Sequence, residues 1–173
     1  MRRLILFRHA KTEPKPAGME DIDRKLTARG QNDSRAIGRL LARAGYAPDL
    51  ALVSPSVRTR QTWDLAKAAF PQCRIEICDA LYNAESQEVM GSVAQARDRA
   101  DTIVVVGHNP SLQEVAIDLV IEGDGRAVDV ERLSAAFPTS TCVVFVMDES
   151  GRATLIDSLH PGVEGGLGAS SAQ

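Results

Sequence analysis

Two histidines and two arginines stand just after short apolar segments of this 173-residue chain, where their side chains could act on a phosphoryl group. Arg8 and His9 follow the first segment, Arg58 lies shortly after the second, and His108 follows a later one. A neutral imidazole can attack phosphorus, and a guanidinium group binds two phosphate oxygens at once. Any one of these residues alone is more often an ordinary surface or core residue. Their shared position at strand ends predicts instead a single oxyanion site.

The position of Arg58 is informative because it falls in the first turn of a predicted helix. The helix dipole disfavours a cation there, so an arginine is tolerated best when an anion lies between it and the helix N-terminus. His108 also precedes a predicted helix, whose free N–H groups could bind the same anion. Arg60 faces another way at helical spacing and is interpreted as a surface residue.

Short apolar segments predict the strands that carry these side chains. Four of them are bounded by turn residues and are expected to be buried, and the last two predict a β-hairpin. The predicted strands are Leu4–Phe7, Leu50–Val53, Arg74–Cys78, Thr102–Val106, Thr141–Met147 and Ala153–Leu159. Because helical patterns alternate with the first four, we expect a three-layer α/β fold. It should have a mostly parallel sheet, helices on both faces and an antiparallel edge hairpin.

Apolar spacing at helical periodicity predicts five helices, and capping residues mark several of their ends. Thr27 is expected to cap the first helix and Gly45 to close it. Asn109 should cap the fourth, with Pro110 as its first helical residue. The predicted helices begin after Thr27, near Ser56, near Ser86, at Asn109-Pro110 and near Val130, and Pro71 stops the second.

Composition bounds the class of protein. We expect residues 1–160 to form one domain and residues 161–173, rich in Gly, Ala and Ser, to form a flexible tail. The net charge of −3 indicates neither a nucleic acid nor an anionic membrane as the main partner. The 3 cysteines lack the spacing of a disulfide framework, which predicts a reduced, cytoplasmic protein. None of them opens a Cys-x5-Arg loop, so cysteine-dependent phosphatase chemistry has no support.

Six short motifs carry a resemblance to a known family. They are Leu6-Phe7-Arg8-His9-Ala10-Lys11, Leu26-Thr27-Ala28-Arg29-Gly30, Ser54-Pro55-x-x-Arg58-x-x-Gln61-Thr62, Leu81-Tyr82-Asn83-Ala84, Val106-Gly107-His108-Asn109-Pro110-Ser111 and Phe137-Pro138-Thr139. As a set they resemble the histidine phosphatase superfamily, which has a phosphoglycerate mutase-like fold, and especially its small SixA-type phosphohistidine phosphatases. The resemblance implies that His9 forms a phosphohistidine intermediate, while Arg8, Arg58 and His108 bind the phosphoryl oxygens. It implies no metal and no cofactor.

The resemblance leaves the proton donor open. Many family members carry a glutamate after the third strand, and the matching place is occupied by Asn83, which cannot donate in that way. Glu85 lies close by and is the candidate substitute, although an acidic residue near a helix start is also favoured by the dipole alone. A site without a strong acid would suit a phosphoramidate such as phosphohistidine. The acidic pair at Asp21 and Asp23 is interpreted as a loop feature, since it does not follow a strand.

The segment between Cys78 and Thr102 bears on the substrate. Larger family members insert a long lid there, whereas this chain has a loop and one predicted helix. An open, shallow site favours phosphohistidine in a protein over an enclosed metabolite. The alternatives are a small-molecule phosphomonoester phosphatase of the same superfamily and a non-catalytic phosphate-binding module. A zinc site built from His9, His108 and His160 is a less favoured alternative.

Overall fold

Within residues 1–162, which the computed structural model describes, a six-stranded sheet forms the centre of the molecule. Its strands are β1 (Arg3–Arg8), β2 (Leu50–Val53), β3 (Arg74–Ile77), β4 (Thr102–Gly107), β5 (Cys142–Met147) and β6 (Ala153–Leu159). Across the sheet they lie in the order β3-β2-β4-β1-β5-β6. The first four in that order run parallel, whereas β5 is antiparallel to β1 and β6 is antiparallel to β5. The predicted parallel sheet with an antiparallel edge hairpin is confirmed.

Helices cover both faces of the sheet. One face carries α1 (Ala28–Arg43) and α2 (Val57–Ala66), and the other carries α3 (Ser86–Ala96), α4 (Ser111–Glu122) and α5 (Ala127–Ala135). Because side chains alternate along a strand, Ile5 and Phe7 enter the core under α1 and α2, whereas Leu4 and Leu6 enter the opposite core. The apolar run of β1 therefore serves two cores, and the predicted three-layer class is confirmed.

The first helix begins and ends at its predicted capping residues, whereas α2 ends at Ala66, before the predicted stop at Pro71. The Thr27 hydroxyl accepts a hydrogen bond from the Gly30 N–H at 2.9 Å. Ser56 caps α2 in the same way, by accepting from the Thr59 N–H. Gly45 has a φ of +75°, which is the left-handed conformation expected just after a helix.

The start of α4 differs from the prediction. The helix begins at Ser111 with Pro110 in the N-cap position, so the expected assignment of Asn109 as the cap is wrong. The Asn109 amide instead donates hydrogen bonds to the Gln113 side chain at 2.9 Å and to the Phe137 carbonyl at 3.2 Å. Its carboxamide connects α4 to the loop before β5, which is a tertiary role that a local Asn-Pro pattern does not reveal.

Strand β3 lies at the edge of the sheet, and the expectation that it is buried is wrong. Ile75 is 39% exposed and Ile77 is 51% exposed. Among the strands of residues 1–162, β3 is hydrogen-bonded to β2 alone. An apolar, β-branched segment predicts a strand, but its position in the sheet depends on crossovers that join other strands.

The carboxyl ends of β1, β2 and β4 meet at one edge of the sheet. The register pairs Arg8 of β1 with Gly107 of β4, and Val53 of β2 with Val106 of β4. The residues that follow these strands therefore emerge side by side at the same edge of the sheet. This is the edge at which parallel α/β sheets bind their ligands.

Two observations bear on the rest of the chain. Each helix within residues 1–162 is too short or too polar to bridge a lipid bilayer. Residues 163–173, which make up most of the predicted tail, lie outside the described part of the chain. The domain boundary at residue 160 therefore stays a prediction.

Candidate active site

The side chains of Arg8, His9, Arg58 and His108 line one cleft at the carboxyl edge of the sheet. The ring centroids of the two histidines are 5.3 Å apart. The cleft is also lined by Asp21, Arg24, Asn83, Ala84, Asn109, Pro110 and Ser111. The structure thus brings together the four residues that their position at strand ends singles out.

Two backbone hydrogen bonds, one through the N–H and one through the carbonyl, hold His9 in place. Its N–H donates to the Gly107 carbonyl at 3.0 Å, and its own carbonyl accepts from the Ser140 N–H at 3.1 Å. The ring Nδ1 lies 2.9 Å from the carbonyl oxygen of Ala10. Because a carbonyl oxygen can only accept a hydrogen bond, Nδ1 carries the proton and the lone pair lies on Nε2.

The surroundings of His9 also favour its neutral form. Burial lowers the pKa of His9 to about 4, with the positive charges of Arg58, Arg8 and Arg24 acting in the same direction and the hydrogen bond to Ala10 opposing them. At neutral pH the imidazole is therefore uncharged. Its Nε2 lone pair is free to act as a nucleophile.

His108 is the second neutral imidazole of the cleft. Its Nε2 lies 2.8 Å from the Ser54 hydroxyl, and the Tyr82 ring packs edge-on against it at a centroid distance of 5.8 Å. Burial lowers the pKa of His108 to about 3, helped by the neighbouring His9 and Arg58. The side chain can therefore contribute a hydrogen bond to a bound group, but it brings no positive charge of its own at neutral pH.

Arg8 is anchored by a distant part of the chain. Its Nη1 donates to the carbonyl of Phe137, a contact that spans 129 residues. The same carbonyl accepts from the Asn109 amide at 3.2 Å. The guanidinium group beside His9 is therefore fixed by the loop that precedes β5.

Arg58 is only 6% exposed and lies in the first turn of α2. Its Nη1 donates to the backbone carbonyl of Asp21 at 2.7 Å, and its Nη2 donates to the Asp21 carboxylate at 2.9 Å. The guanidinium carbon lies 5.9 Å from the centre of the Tyr82 ring. The sequence predicts an anion beside Arg58, and a carboxylate of the chain itself lies there.

Four buried nitrogen atoms of the cleft residues lack a hydrogen-bond partner among residues 1–162. They are Arg8 Nε, Arg24 Nε, Arg58 Nε and His108 Nδ1. Buried polar atoms without partners are costly and uncommon in folded proteins. A tetrahedral oxyanion has several acceptor oxygens and three of these nitrogens are permanent donors, so the arrangement suits an anionic ligand.

Asp21 is a residue of the cleft that the sequence prediction misses. It opens a short 3-10 turn, Asp21–Asp23, in the loop between β1 and α1. Besides Arg58, its carboxylate accepts from Arg24 at 3.3 Å and from the Tyr82 hydroxyl at 3.3 Å. Burial alone would raise the pKa of Asp21, but Arg58 and Arg24 outweigh it and lower the pKa. The reading of this acidic pair as a mere loop feature is therefore incomplete.

Glu85 lies outside the cleft. It is exposed and occupies the N-cap position of α3, where its backbone N–H donates to the Glu88 side chain at 2.9 Å. It is not among the residues that line the cleft, whereas Asn83, with a φ of +55°, is one of them. The geometry therefore favours a capping role for Glu85.

The zinc alternative finds no support in the geometry. Within the described part of the chain, no three His, Cys, Asp or Glu side chains are grouped closely enough to hold a metal ion. His160 follows β6 and does not line the cleft that contains His9 and His108. Arg60 is exposed, as its helical spacing predicts.

Comparison with known proteins agrees with this architecture. A model of the histidine phosphatase superfamily (branch 1) matches residues 4–111. An uncharacterised protein of Mycobacterium tuberculosis is 36% identical over 139 residues, which covers 80% of this chain and 85% of that protein. A candidate phosphohistidine phosphatase SixA of Agrobacterium tumefaciens has a crystal structure that is 33% identical, with a TM-score of 0.82, over 92% of this chain and 98% of that one.

A second solved structure is similar over nearly the whole chain. It is a candidate phosphohistidine phosphatase SixA of Nakamurella multipartitia, which is 27% identical, with a TM-score of 0.80, over 94% of this chain and 97% of that one. The family match includes the segments that carry Arg8, His9, Arg58 and His108. On this family match and on the likeness to the mycobacterial protein and the Agrobacterium structure, the chain belongs to the histidine phosphatase superfamily.

Proposed function

We propose that this protein is a metal-independent phosphatase that removes the phosphoryl group from phosphohistidine in a protein, through a covalent phosphohistidine intermediate on His9. The observation that carries the proposal is the state of His9. Its imidazole is neutral, its Nδ1 is occupied by the Ala10 carbonyl, and its Nε2 is left as the nucleophilic atom. Membership of the superfamily supports phosphatase chemistry at this position.

The proposed reaction has two steps. In the first, His9 Nε2 attacks phosphorus as the bond to the leaving group breaks. In the second, water attacks the phosphorylated His9 and releases inorganic phosphate. Arg8 and Arg58 bind the phosphoryl oxygens and offset the negative charge of each transition state, while His108 adds a hydrogen bond. The arginines supply permanent positive charge, so a metal ion is not required for this role.

Access to the cleft supports a protein substrate. Between β3 and β4 the chain forms a 3-10 turn at Asp79–Leu81 and α3, so no long lid segment is inserted there. Both solved structures compared above carry the description of candidate phosphohistidine phosphatases. A phosphohistidine exposed on a folded partner could therefore reach His9 more readily than it could in an enclosed site.

The choice between substrates is tested directly with purified protein. We expect kcat/KM to be higher for a protein carrying phosphohistidine than for small phosphomonoesters. Brisk turnover of a small metabolite with no action on phosphohistidine would instead favour the small-molecule phosphatase of the same superfamily. Oxyanion binding without any turnover would favour a non-catalytic phosphate-binding module.

The nucleophile is tested by replacing His9 with alanine. The wild-type protein, quenched during turnover of a labelled phosphate ester, should carry acid-labile phosphate, and His9→Ala should carry none. His160→Ala is the matched control, because that histidine does not line the cleft. Persistent labelling of the His9 variant would show that another residue forms the intermediate.

The proposal extends to cofactors and location. Activity should be insensitive to chelators, since the proposed charge partners are side chains. The three cysteines, Cys73, Cys78 and Cys142, are free thiols. Free thiols are the rule in reducing compartments, which supports the proposed cytoplasmic location. The proposed partner is a phosphorylated protein, and neither a nucleic acid nor a membrane is part of the proposal.

A further inference from the structure

The proposed reaction needs a proton for the atom that leaves phosphorus. A nitrogen or oxygen that departs with an electron pair is stabilised when a nearby acid protonates it. Of the residues within 1–162 that line the cleft, only Asp21 carries a carboxyl group. The inference that follows rests on the proposed function and adds a residue to it.

The Asp21 carboxylate reaches into the cleft but keeps contact with water. Its Oδ2 lies 2.9 Å from Arg58 Nη2 and 3.3 Å from the Tyr82 hydroxyl, and its Oδ1 lies 3.3 Å from Arg24 Nη1. The side chain is 40% exposed, whereas that of Arg58 is 8% exposed. A carboxyl group in this position can exchange protons with solvent between turnovers and still touch a group bound to Arg58.

Binding of a phosphoryl group favours the protonated form of the Asp21 carboxyl group. Arg58 is at once the partner of Asp21 and one of the two arginines assigned to the phosphoryl oxygens. A bound dianion shares that positive charge and adds negative charge beside the carboxylate, and both effects favour the protonated acid. The charged or titratable groups around Asp21 are Arg24 of its own loop, Arg58 of α2, Tyr82 of the segment before α3, and Arg8, His9 and His108 of the same cleft.

We propose that Asp21 is the acid–base residue of the phosphoryl transfer. In the first step His9 Nε2 bonds to phosphorus, the bond from phosphorus to the leaving atom breaks, and that atom keeps the electron pair and takes the proton of the Asp21 carboxyl group. In the second step the Asp21 carboxylate takes a proton from the attacking water. The bond from phosphorus to His9 then breaks, and its electron pair returns to Nε2. Asp21 takes its proton from solvent as the dianion binds, is protonated again at the end of the second step, and returns that proton to solvent when phosphate leaves.

Two other residues are less suited to this role. Glu85 is the cap of α3 and does not line the cleft. Asn83 lines the cleft, but a carboxamide cannot give up a proton at neutral pH. The acid therefore comes from the loop between β1 and α1 and not from the segment after β3, where the resemblance leads one to expect it.

The test compares Asp21→Asn with Asp23→Asn on aryl phosphates whose leaving groups differ in basicity. Asp23 is the matched control because it is an exposed aspartate of the same 3-10 turn and does not line the cleft. We expect Asp21→Asn to lower kcat/KM by about 100-fold with phenyl phosphate, which has a poor leaving group. The loss should be much smaller with p-nitrophenyl phosphate. Asp23→Asn should behave like the wild type with both substrates.

Two measurements separate acid–base catalysis from simple support of Arg58. A positioning role would lower kcat/KM equally for all leaving groups and weaken inhibition by inorganic phosphate. Under our proposal, inhibition by phosphate is not weakened, and Asp21→Glu restores part of the activity lost with phenyl phosphate. An equal loss with both substrates, or no loss at all, overturns the proposal. A melting temperature for each variant identifies a loss that comes from unfolding, and in that case Asp21→Glu decides.

Failure of the proposed function would give results different from those of a failure of the Asp21 proposal. In that case the wild-type protein would neither hydrolyse aryl phosphates nor carry acid-labile phosphate on His9. If the wild type is active and labelled, the comparison of leaving groups judges Asp21 alone. If it hydrolyses aryl phosphates but not phosphohistidine, the substrate assignment fails and the role of Asp21 is still decided by the same comparison.

Discussion

The charge state of His9 depends on how deeply the ring is buried. An imidazole with an ordinary pKa near 6.5 would be partly protonated at neutral pH, and a protonated ring cannot attack phosphorus. Here burial disfavours the charged form, and three arginines reinforce the effect. The arginines that would bind the phosphoryl group therefore also keep the imidazole of His9, the proposed nucleophile, in its neutral form.

A pH titration tests this electrostatic argument. The His9 ring resonance should show no inflection near pH 6.5 in the folded protein and should titrate near pH 4, whereas the same residue in urea should titrate normally. Since the unfolded chain binds this proton more tightly, folding stability that depends on His9 is present above about pH 6.5 and is lost as the pH falls towards 4. An inflection at 6.5 in the folded protein would contradict the burial of the ring.

Sequence position predicts some site residues and cannot predict others. Arg8 ends β1, and His9 and His108 directly follow β1 and β4, so a parallel sheet places these residues at the same edge. Asp21 gives no such signal, because its contact with Arg58 joins residues 37 apart through the folding of a loop. Only the three-dimensional structure reveals contacts of this kind.

At the scale of elements, the position of α1 against α2 depends on one small residue. A β-carbon at Gly38 of α1 would clash with the backbone carbonyl oxygen of Ala66 at the end of α2. Neither helix can move away freely, since Ile37, Leu41 and Trp63 are all buried in the core between them and the sheet. The close approach of α1 also matters for the site, because α2 carries Arg58.

Replacing Gly38 with alanine should destabilise the protein by about 1–3 kcal/mol, through overpacking. Gly91→Ala is the matched control, because Gly91 also lies inside a helix and a β-carbon there meets nothing within 4 Å. The control should be stabilised by up to about 1 kcal/mol, since alanine is the better helix former. Thermal unfolding measures both effects, and equal melting temperatures for the two variants would contradict the packing argument.

Local sequence patterns predict where helices and strands occur, but they predict less well what surrounds each of them in the fold. The hydroxyl cap at Thr27 and the start of α2 beside Ser56 are confirmed, because a cap acts within three residues of itself. The exposure of β3 and the start of α4 are predicted wrongly, since both depend on distant partners. β3 is outermost because of the strand order, and Asn109 is engaged by Gln113 and Phe137.

At the scale of the whole molecule, the C-terminal hairpin is part of the fold that holds the site. β5 pairs along β1, with Phe7 opposite Cys142, and its side chains Val143 and Phe145 are fully buried. The loop before it supplies the Phe137 carbonyl that anchors Arg8. The family model matches residues 4–111, so the anchor of Arg8 lies beyond the matched segment.

Two truncations test the domain boundary and the role of the hairpin. A chain that ends at His160 should keep the melting temperature and activity of the full chain, because residues 1–160 supply every strand of the sheet. A chain that ends at Pro138 should fail to fold, since it lacks β5 and β6 and leaves the apolar edge of β1 unpaired. Circular dichroism and thermal unfolding distinguish the outcomes, and a marked loss of stability in the longer chain would move the boundary.

The central place of β1 has a consequence for how the protein is made. This strand leaves the ribosome before its neighbours in the sheet, β4 and β5, which begin at Thr102 and Cys142. At roughly 5–20 residues per second, β1 waits on the order of ten seconds for its second neighbour. During that time a nascent Leu-Ile-Leu-Phe segment is exposed to chaperones and to other chains. The proposed nucleophile His9 is thus synthesised well before the later strands that complete its surroundings.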